Sequence, residues 1–153
     1  MCFYLGIDTS NYTTSVALYN SETNEVISKK KLLPVKHGEK GIRQSDAVFH
    51  HTVQLPELIQ ELFAGNKYHI NGIGVSVKPC NEENSYMPCF LTGLGYAEIL
   101  SSALKVPLFK FSLRWVLKSL FSSFIILAVS FKRDKLSHSA PKEIASTPIA
   151  PSI

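Results

Sequence analysis

The chain has 153 residues, 45% of them hydrophobic and 18% charged, a size that suits one domain with its own core and a composition ordinary for a soluble globular protein. Three cysteines, Cys2, Cys80 and Cys89, form an odd set without a CxxC spacing, which excludes a disulfide framework or a cysteine metal centre and points to a reducing compartment. The net charge of +4 does not by itself argue for nucleic acid, because residues 1–111 hold ten Lys/Arg against ten Asp/Glu and the whole excess falls in residues 112–153, with six against two. The opening MCFYLGIDTS has neither the basic stretch nor the long apolar run of a signal peptide, and the expected location is the cytoplasm.

Residues 3–8 (FYLGID) are an apolar run ending in an acid and predict a buried strand, and residues 14–19 (TSVALY) alternate and predict a second. A turn cluster, residues 20–24 (NSETN), leads into a third strand over 25–33, placed at a sheet edge by its three lysines. The three together read as an antiparallel meander. Beyond a glycine-bearing loop at 37–41, Ser45 opens a helical pattern in Ala47, Val48, His51, Leu55, Leu58, Leu62 and Phe63. Pro56 lies inside that pattern and is expected to kink or split the helix, and Gly65-Asn66 stops it. Residues 70–77 predict a fourth strand, 78–85 a polar loop, 86–104 a second helix and 107–111 a fifth strand. Gly93 and Gly95 fall inside that second helix, at a cost in stability unless something packs closely there. The order is βββαβαβ, which fits a mixed sheet covered by helices.

After Ser112 the texture changes. Residues 119–131 are almost wholly apolar, 132–135 are charged, and the end from Ser137 is rich in Ser, Ala and Pro and is expected to be disordered. The apolar core from Leu120 to Phe131 is about twelve residues, short of the roughly 20 that span a bilayer. The segment 113–136 therefore reads as an apolar and basic helix and membrane association as a weak alternative.

The sharpest local feature is the stretch Asp8, Thr9, Ser10, Asn11, Tyr12, Thr13, Thr14, Ser15. Backbone N–H groups and hydroxyls in such a turn cradle phosphate oxygens, and an acid at a strand end holds a metal-bound water beside them. Asp8 and Ser10 equally suit a purely structural role as caps of the hairpin. His50 and His51 are adjacent on a helix and point in different directions, which does not suit chelation of one metal. No base is spaced to activate Cys80 or Cys89, so both read as inert thiols.

LGIDTSNYTTSVALY resembles the first phosphate motif of the actin/Hsp70/sugar-kinase superfamily and, more closely, the opening of the tRNA threonylcarbamoyladenosine synthase family, also called the O-sialoglycoprotein endopeptidase or glycoprotease family. Three later segments resemble the same family in the same order: AVFHHTVQLPELI (47–59), IGVSVKPCNEENSYMPCFLTG (73–93) and VPLFKFS (106–112). The likeness covers residues 3–112. It implies an α/β, ribonuclease H-like, actin-type (ASKHA) lobe over 1–112, followed by an atypical 113–136 segment and a 137–153 tail. It further implies transfer of a threonylcarbamoyl group from an adenylate to N6 of the adenosine that follows the anticodon, with iron or zinc as the family metal and protein partners required. Carried over residue by residue, Asp8, Thr9, Ser10, Asn11, Thr13, Thr14 and Ser15 are the nucleotide-phosphate candidates. His51, Lys78, Pro79 and Ser85 match cleft positions.

The departures are as informative. Thr13 stands where the family has a glutamate, and KPCNEENSYMP replaces a glycine-rich loop. Where the family's HxxxH metal pair should begin, this chain has Leu113 and Leu117. The resemblance thus implies a lobe without its metal site, catalytically incomplete alone, with no cofactor of its own, no assigned catalytic residue, and a family-type protein or homologous lobe as partner; tRNA enters only through the family. The alternative is a non-catalytic module that pairs with a homologue.

Overall fold

The computed structural model describes residues 2–10, 12–35, 41–80 and 86–113; the segment and tail expected beyond Leu113 lie outside them. Five strands and two helices follow in the expected order: β1 (Phe3–Asp8), β2 (Thr13–Asn20), β3 (Val26–Leu32), α1 (Gln44–Phe63), β4 (Ile70–Lys78), α2 (Cys89–Leu104) and β5 (Leu108–Ser112). They form one mixed sheet in the order β3-β2-β1-β4-β5. The meander is antiparallel, with Leu5 opposite Leu18 and Val16 opposite Lys29. β4 and β5 join it in parallel, with Leu5 beside Ile73 and Val75 beside Lys110.

Alternation along the strands divides the sheet into two faces. Leu5, Ile7, Val16, Leu18, Ile73 and Val75 point to one side and form the main core with Leu55, Leu58 and Leu62 of α1 and Ala97 of α2. Tyr4, Ala17, Tyr19 and Phe111 point to the other side and form a separate cluster. β3 lies at the edge and is exposed along its length. Its Lys31 reaches Glu57 of α1 at 2.8 Å and its Lys29 reaches Glu61 at 4.0 Å, exposed pairs of the kind that contribute little to stability.

Three local details differ from the sequence expectation or explain it. α1 runs unbroken through Pro56. A proline has no N–H to offer the carbonyl four residues back, and here that carbonyl, of Thr52, accepts a hydrogen bond from the Tyr96 hydroxyl of α2 at 3.3 Å. The second helix starts at Cys89 and not at 86, with Pro88 at its N-cap; the residue ahead of a proline is turned away from helical geometry. Its end is set by Lys105, which takes a left-handed φ of 54° and returns its N–H to Ser101 O.

The first of the two glycines in α2, Gly93, has a packing reason. A Cβ at Gly93 would sit 2.7 Å from Thr9 Oγ1, whereas one at Gly95 would meet nothing within 4 Å. The missing side chain at 93 lets the helix backbone close on the end of β1. Gly93 N–H then donates to Thr9 Oγ1 at 3.1 Å, and Thr9 Oγ1 donates to Cys89 O at 2.9 Å.

Candidate functional site

The carboxyl ends of β1, β4 and β5 lie together at one edge of the sheet, the edge at which α1 and α2 begin. In open α/β sheets this is where ligands bind, and helix N-termini add positive potential there. Asp8 closes β1 and is half-buried. Its Oδ1 accepts the Ser10 backbone N–H at 3.0 Å and the hydroxyl of Ser76, on β4. The first of these bonds is the hairpin-capping role, an Asx-type turn; the second ties β1 to β4 across the sheet. Ser15 stands directly opposite Asp8 on β2. Lys78, half-buried, ends β4 two residues past Ser76 and pairs in register with Ser112, and Pro79 follows it. Ser112 is buried with a hydroxyl that has no partner among the described residues.

The predicted phosphate residues divide between two places. Asp8, Ser10, Ser15 and Lys78 gather at the strand ends. Thr9 is fully buried and is spent on the link to α2. Thr13 opens β2 opposite Leu32. Thr14 points into the interior, where its Oγ1 lies 2.8 Å from both His51 Nδ1 and Gln54 Oε1. Asn11 and Ser85 lie outside the described residues. The Gln54 amide donates to Leu32 O at 3.2 Å, which fixes its oxygen toward Thr14. The single Thr14 proton therefore goes to Gln54, and His51 must donate from Nδ1, so the network places a proton on that nitrogen. His51 is 0% exposed and binds β2 to α1.

Sequence reasoning missed Ser76 and Gln54. Ser76 was legible as a lone hydroxyl near the end of an otherwise apolar strand, INGIGVSVK. Gln54 carried no signal beyond lying on the buried stripe of α1, one helical turn after His51.

Leu113 stands at the first position where the resemblance would place a metal histidine, and a leucine side chain offers a metal no donor atom. Leu113 packs in an apolar cluster with Leu33, Ala47, Cys89 and Phe90, and the described residues contain no group of three or more His, Cys, Asp or Glu able to hold a metal ion. Leu117 lies outside them. Burial pushes the Cys89 thiol up, against two backbone hydrogen bonds that lower it, with the negative charge of Asp8 adding to the rise. A thiol in that position stays protonated and unreactive. No helix of the described residues is long and apolar enough to cross a membrane.

Among solved structures the chain is similar to YeaZ from Pseudomonas aeruginosa, with 20% identity and a TM-score of 0.51 over 73% of this chain and 44% of that one. The fold is ribonuclease H-like. A second Pseudomonas aeruginosa structure, an uncharacterized protein with similarity to peptidase YEAZ, matches with the same identity, TM-score and coverage. Thermus thermophilus RuvC in complex with a Holliday junction substrate matches with 14% identity and a TM-score of 0.45, over 94% of this chain and 85% of that one. The chain thus spans less than half the length of the YeaZ structures. No protein-family model matches it, and no curated protein is similar to it.

Proposed function

We propose that this chain is a lobe of the tRNA threonylcarbamoyladenosine synthase family that receives the phosphate side of an adenylate at Asp8, Ser10 and Ser15 and depends on a family partner for transfer. The observation that carries the reading is the acid at the end of the central strand. Asp8 is held by Ser10 and Ser76 where three parallel strands and two helix N-termini converge, in a fold shared with YeaZ, itself of that family. The four ordered sequence likenesses support it as well. In this role Asp8 would hold a cation or its bound water beside the phosphate, which would supply positive charge there. The Ser10 and Ser15 hydroxyls and the Lys78 ammonium oppose the charge that develops on the adenylate leaving group. With leucines at the metal-histidine positions, the lobe brings no iron or zinc, and the acyl-transfer centre belongs to the partner. The setting is the cytoplasm, where the tRNA substrate is.

The test is complementation of a strain that lacks the modification, with the chain alone and together with a family homologue, read by nucleoside mass spectrometry. The expected result is no modified adenosine with the chain alone, recovery with the homologue, and loss of that recovery in Asp8→Asn. Modification by the chain alone would overturn its dependence on a partner. No recovery and no co-purification with any homologue would overturn the family role.

One observation favours the second reading, a non-catalytic module that pairs with a homologue. Phe49 and Val53 on α1 and Leu91 and Ile99 on α2 are 63%, 47%, 52% and 67% exposed. They lie on the sides of the two helices turned from the sheet, where exposed apolar side chains are open to a protein partner. Under that reading the homologue co-purifies with the chain and Asp8→Asn leaves the recovery intact.

A further inference from the structure

Two of the three consecutive lysines of β3 have acidic partners and one does not. Lys29 and Lys31 alternate to the helix face and meet Glu61 and Glu57 of α1. Lys30, between them, stands on the other face. It is exposed and has no ion pair or hydrogen bond among the described residues. Lysine on an edge strand deters pairing with other chains; the register says what else this one faces.

Lys30 pairs with Ser15 of β2, and Ser15 pairs in turn with Asp8 of β1. Residues paired directly across strands share a face. Ser76, which donates to Asp8, stands beside Phe111 of the second-face cluster. Lys30, Ser15, Asp8 and Ser76 therefore form one row across the sheet, on the face turned from both helices. Thr13 lies on that face as well, two residues before Ser15. The row grades from dry to wet: Ser76 is fully buried, Asp8 and Ser15 are half-buried, and Lys30 is exposed. An anion held at Asp8 and Ser15 is thus open on the β3 side, and the charge waiting on that side is Lys30.

We propose that Lys30 is a phosphate-binding residue of the adenylate site, its ammonium reaching over β2 to the phosphate oxygens that the Ser15 and Thr13 hydroxyls contact. The inference rests on the adenylate reading above and adds a cationic wall to that site on the β3 side. Adjacent strands lie about 4.8 Å apart, so the four-carbon stem of a lysine carries its ammonium above Ser15. Asp8 stands two strands from Lys30, about 10 Å between backbones, which leaves the space over Ser15 for a phosphate group. Neither the Thr13 nor the Ser15 hydroxyl has a hydrogen-bond partner among the described residues, so both can donate to oxygens of the same group. Lys30 then makes the site answer to the phosphate and not to the nucleoside, since a charge-assisted contact is lost when the phosphate is absent.

Calorimetric titration of the full chain with AMP, and with adenosine as the same ligand without its phosphate, tests this. The native chain is expected to bind AMP more tightly than adenosine. Lys30→Gln, at an exposed and unpaired position, is expected to fold as the native chain does by circular dichroism. It should weaken AMP at least about 5-fold and leave adenosine unchanged. Lys30→Arg keeps the charge and should stay within about 2-fold of native. Lys29→Gln, the neighbouring charge on the opposite face, should leave AMP binding unchanged. AMP should also slow acetylation of Lys30 by acetic anhydride, read by peptide mass spectrometry, and not that of Lys105. Equal AMP affinity in the native and Lys30→Gln chains, an equal loss in Lys29→Gln, or no protection of Lys30 would overturn the inference while the adenylate reading stands. A native chain that does not prefer AMP to adenosine would overturn both.

Discussion

Two glycines two residues apart in α2 should respond to alanine with opposite signs. Alanine in a helix interior is favoured over glycine by about 1 kcal/mol. At Gly95, where a Cβ would meet nothing within 4 Å, that preference stands alone, and Gly95→Ala is expected to stabilise the chain by about 0.5–1 kcal/mol. At Gly93 the new Cβ would lie 2.7 Å from Thr9 Oγ1. That oxygen is close to the backbone and fixed by two buried hydrogen bonds, to Cys89 O at 2.9 Å and from Gly93 N at 3.1 Å. Relief means rotating Thr9 or lifting the helix, and either breaks both bonds, each worth about 1 kcal/mol net and more where a buried partner is left unpaired. Set against the helix gain, Gly93→Ala is expected to cost about 1–3 kcal/mol.

Urea unfolding of the full chain, followed by circular dichroism, measures both. The decisive comparison is the double variant Thr9→Ala/Gly93→Ala. The next atoms around the new Cβ, Thr9 Cγ2 at 3.4 Å and Ile7 Cγ2 at 3.5 Å, are at ordinary contact distance. Removing Oγ1 should therefore make the Gly93→Ala change close to neutral, with a coupling of at least about 1 kcal/mol. If Gly93→Ala stabilises the chain as Gly95→Ala does, or if the two changes at 9 and 93 are additive, the close approach of α2 to β1 is not what the glycine serves.

Thr14→Val removes the hydroxyl between His51 and Gln54 at nearly constant volume and is expected to cost about 2–3 kcal/mol in the same unfolding experiment, because two buried groups lose their partner. In nitrogen-15 spectra of the native chain, His51 should carry a proton on Nδ1, as the proton count at Thr14 requires. Pro56→Ala restores an N–H aimed at Thr52 O and is expected to stabilise by about 1 kcal/mol or more, leaving Tyr96→Phe without effect in that background. Cys89 should resist thiol reagents at neutral pH in the folded chain and react on unfolding. Its folded pKa is raised above the ordinary 9.0, so the folded chain holds the proton longer than the unfolded one. The Cys89 contribution to stability is constant below about pH 9 and is lost as pH rises through the folded value, which a pH series of urea midpoints compared with Cys89→Ala would show.

Much of this architecture was legible because single residues announce it. Phe3–Asp8 reads as a strand to the residue, and the lysines of β3 place it at the edge where it lies. Pro56 does not split α1; the Thr52 carbonyl it leaves without an N–H is met by Tyr96, forty residues on, and a local pattern holds no trace of that. The site was half legible. An acid followed by hydroxyls at a strand end points to Asp8 and Ser10, but alternation along β2 sends Thr14 inward, and only the fold reveals that His51 waits there. Ser76 joins Asp8 through the parallel register of β4 on β1, which depends on everything between them.

The sheet order carries a consequence for how the chain is made. β1, the central strand, is synthesised before the other four, yet its parallel neighbour is β4, with Leu5 beside Ile73. Until α1 and β4 have left the ribosome, the nascent meander shows bare apolar surface and an open edge along β1. Non-local parallel pairing of this kind is slow to form and exposed to aggregation while it waits. The edge that β1 offers in that interval carries no lysine, unlike β3, so early protection of the newborn chain has to come from speed or from a chaperone.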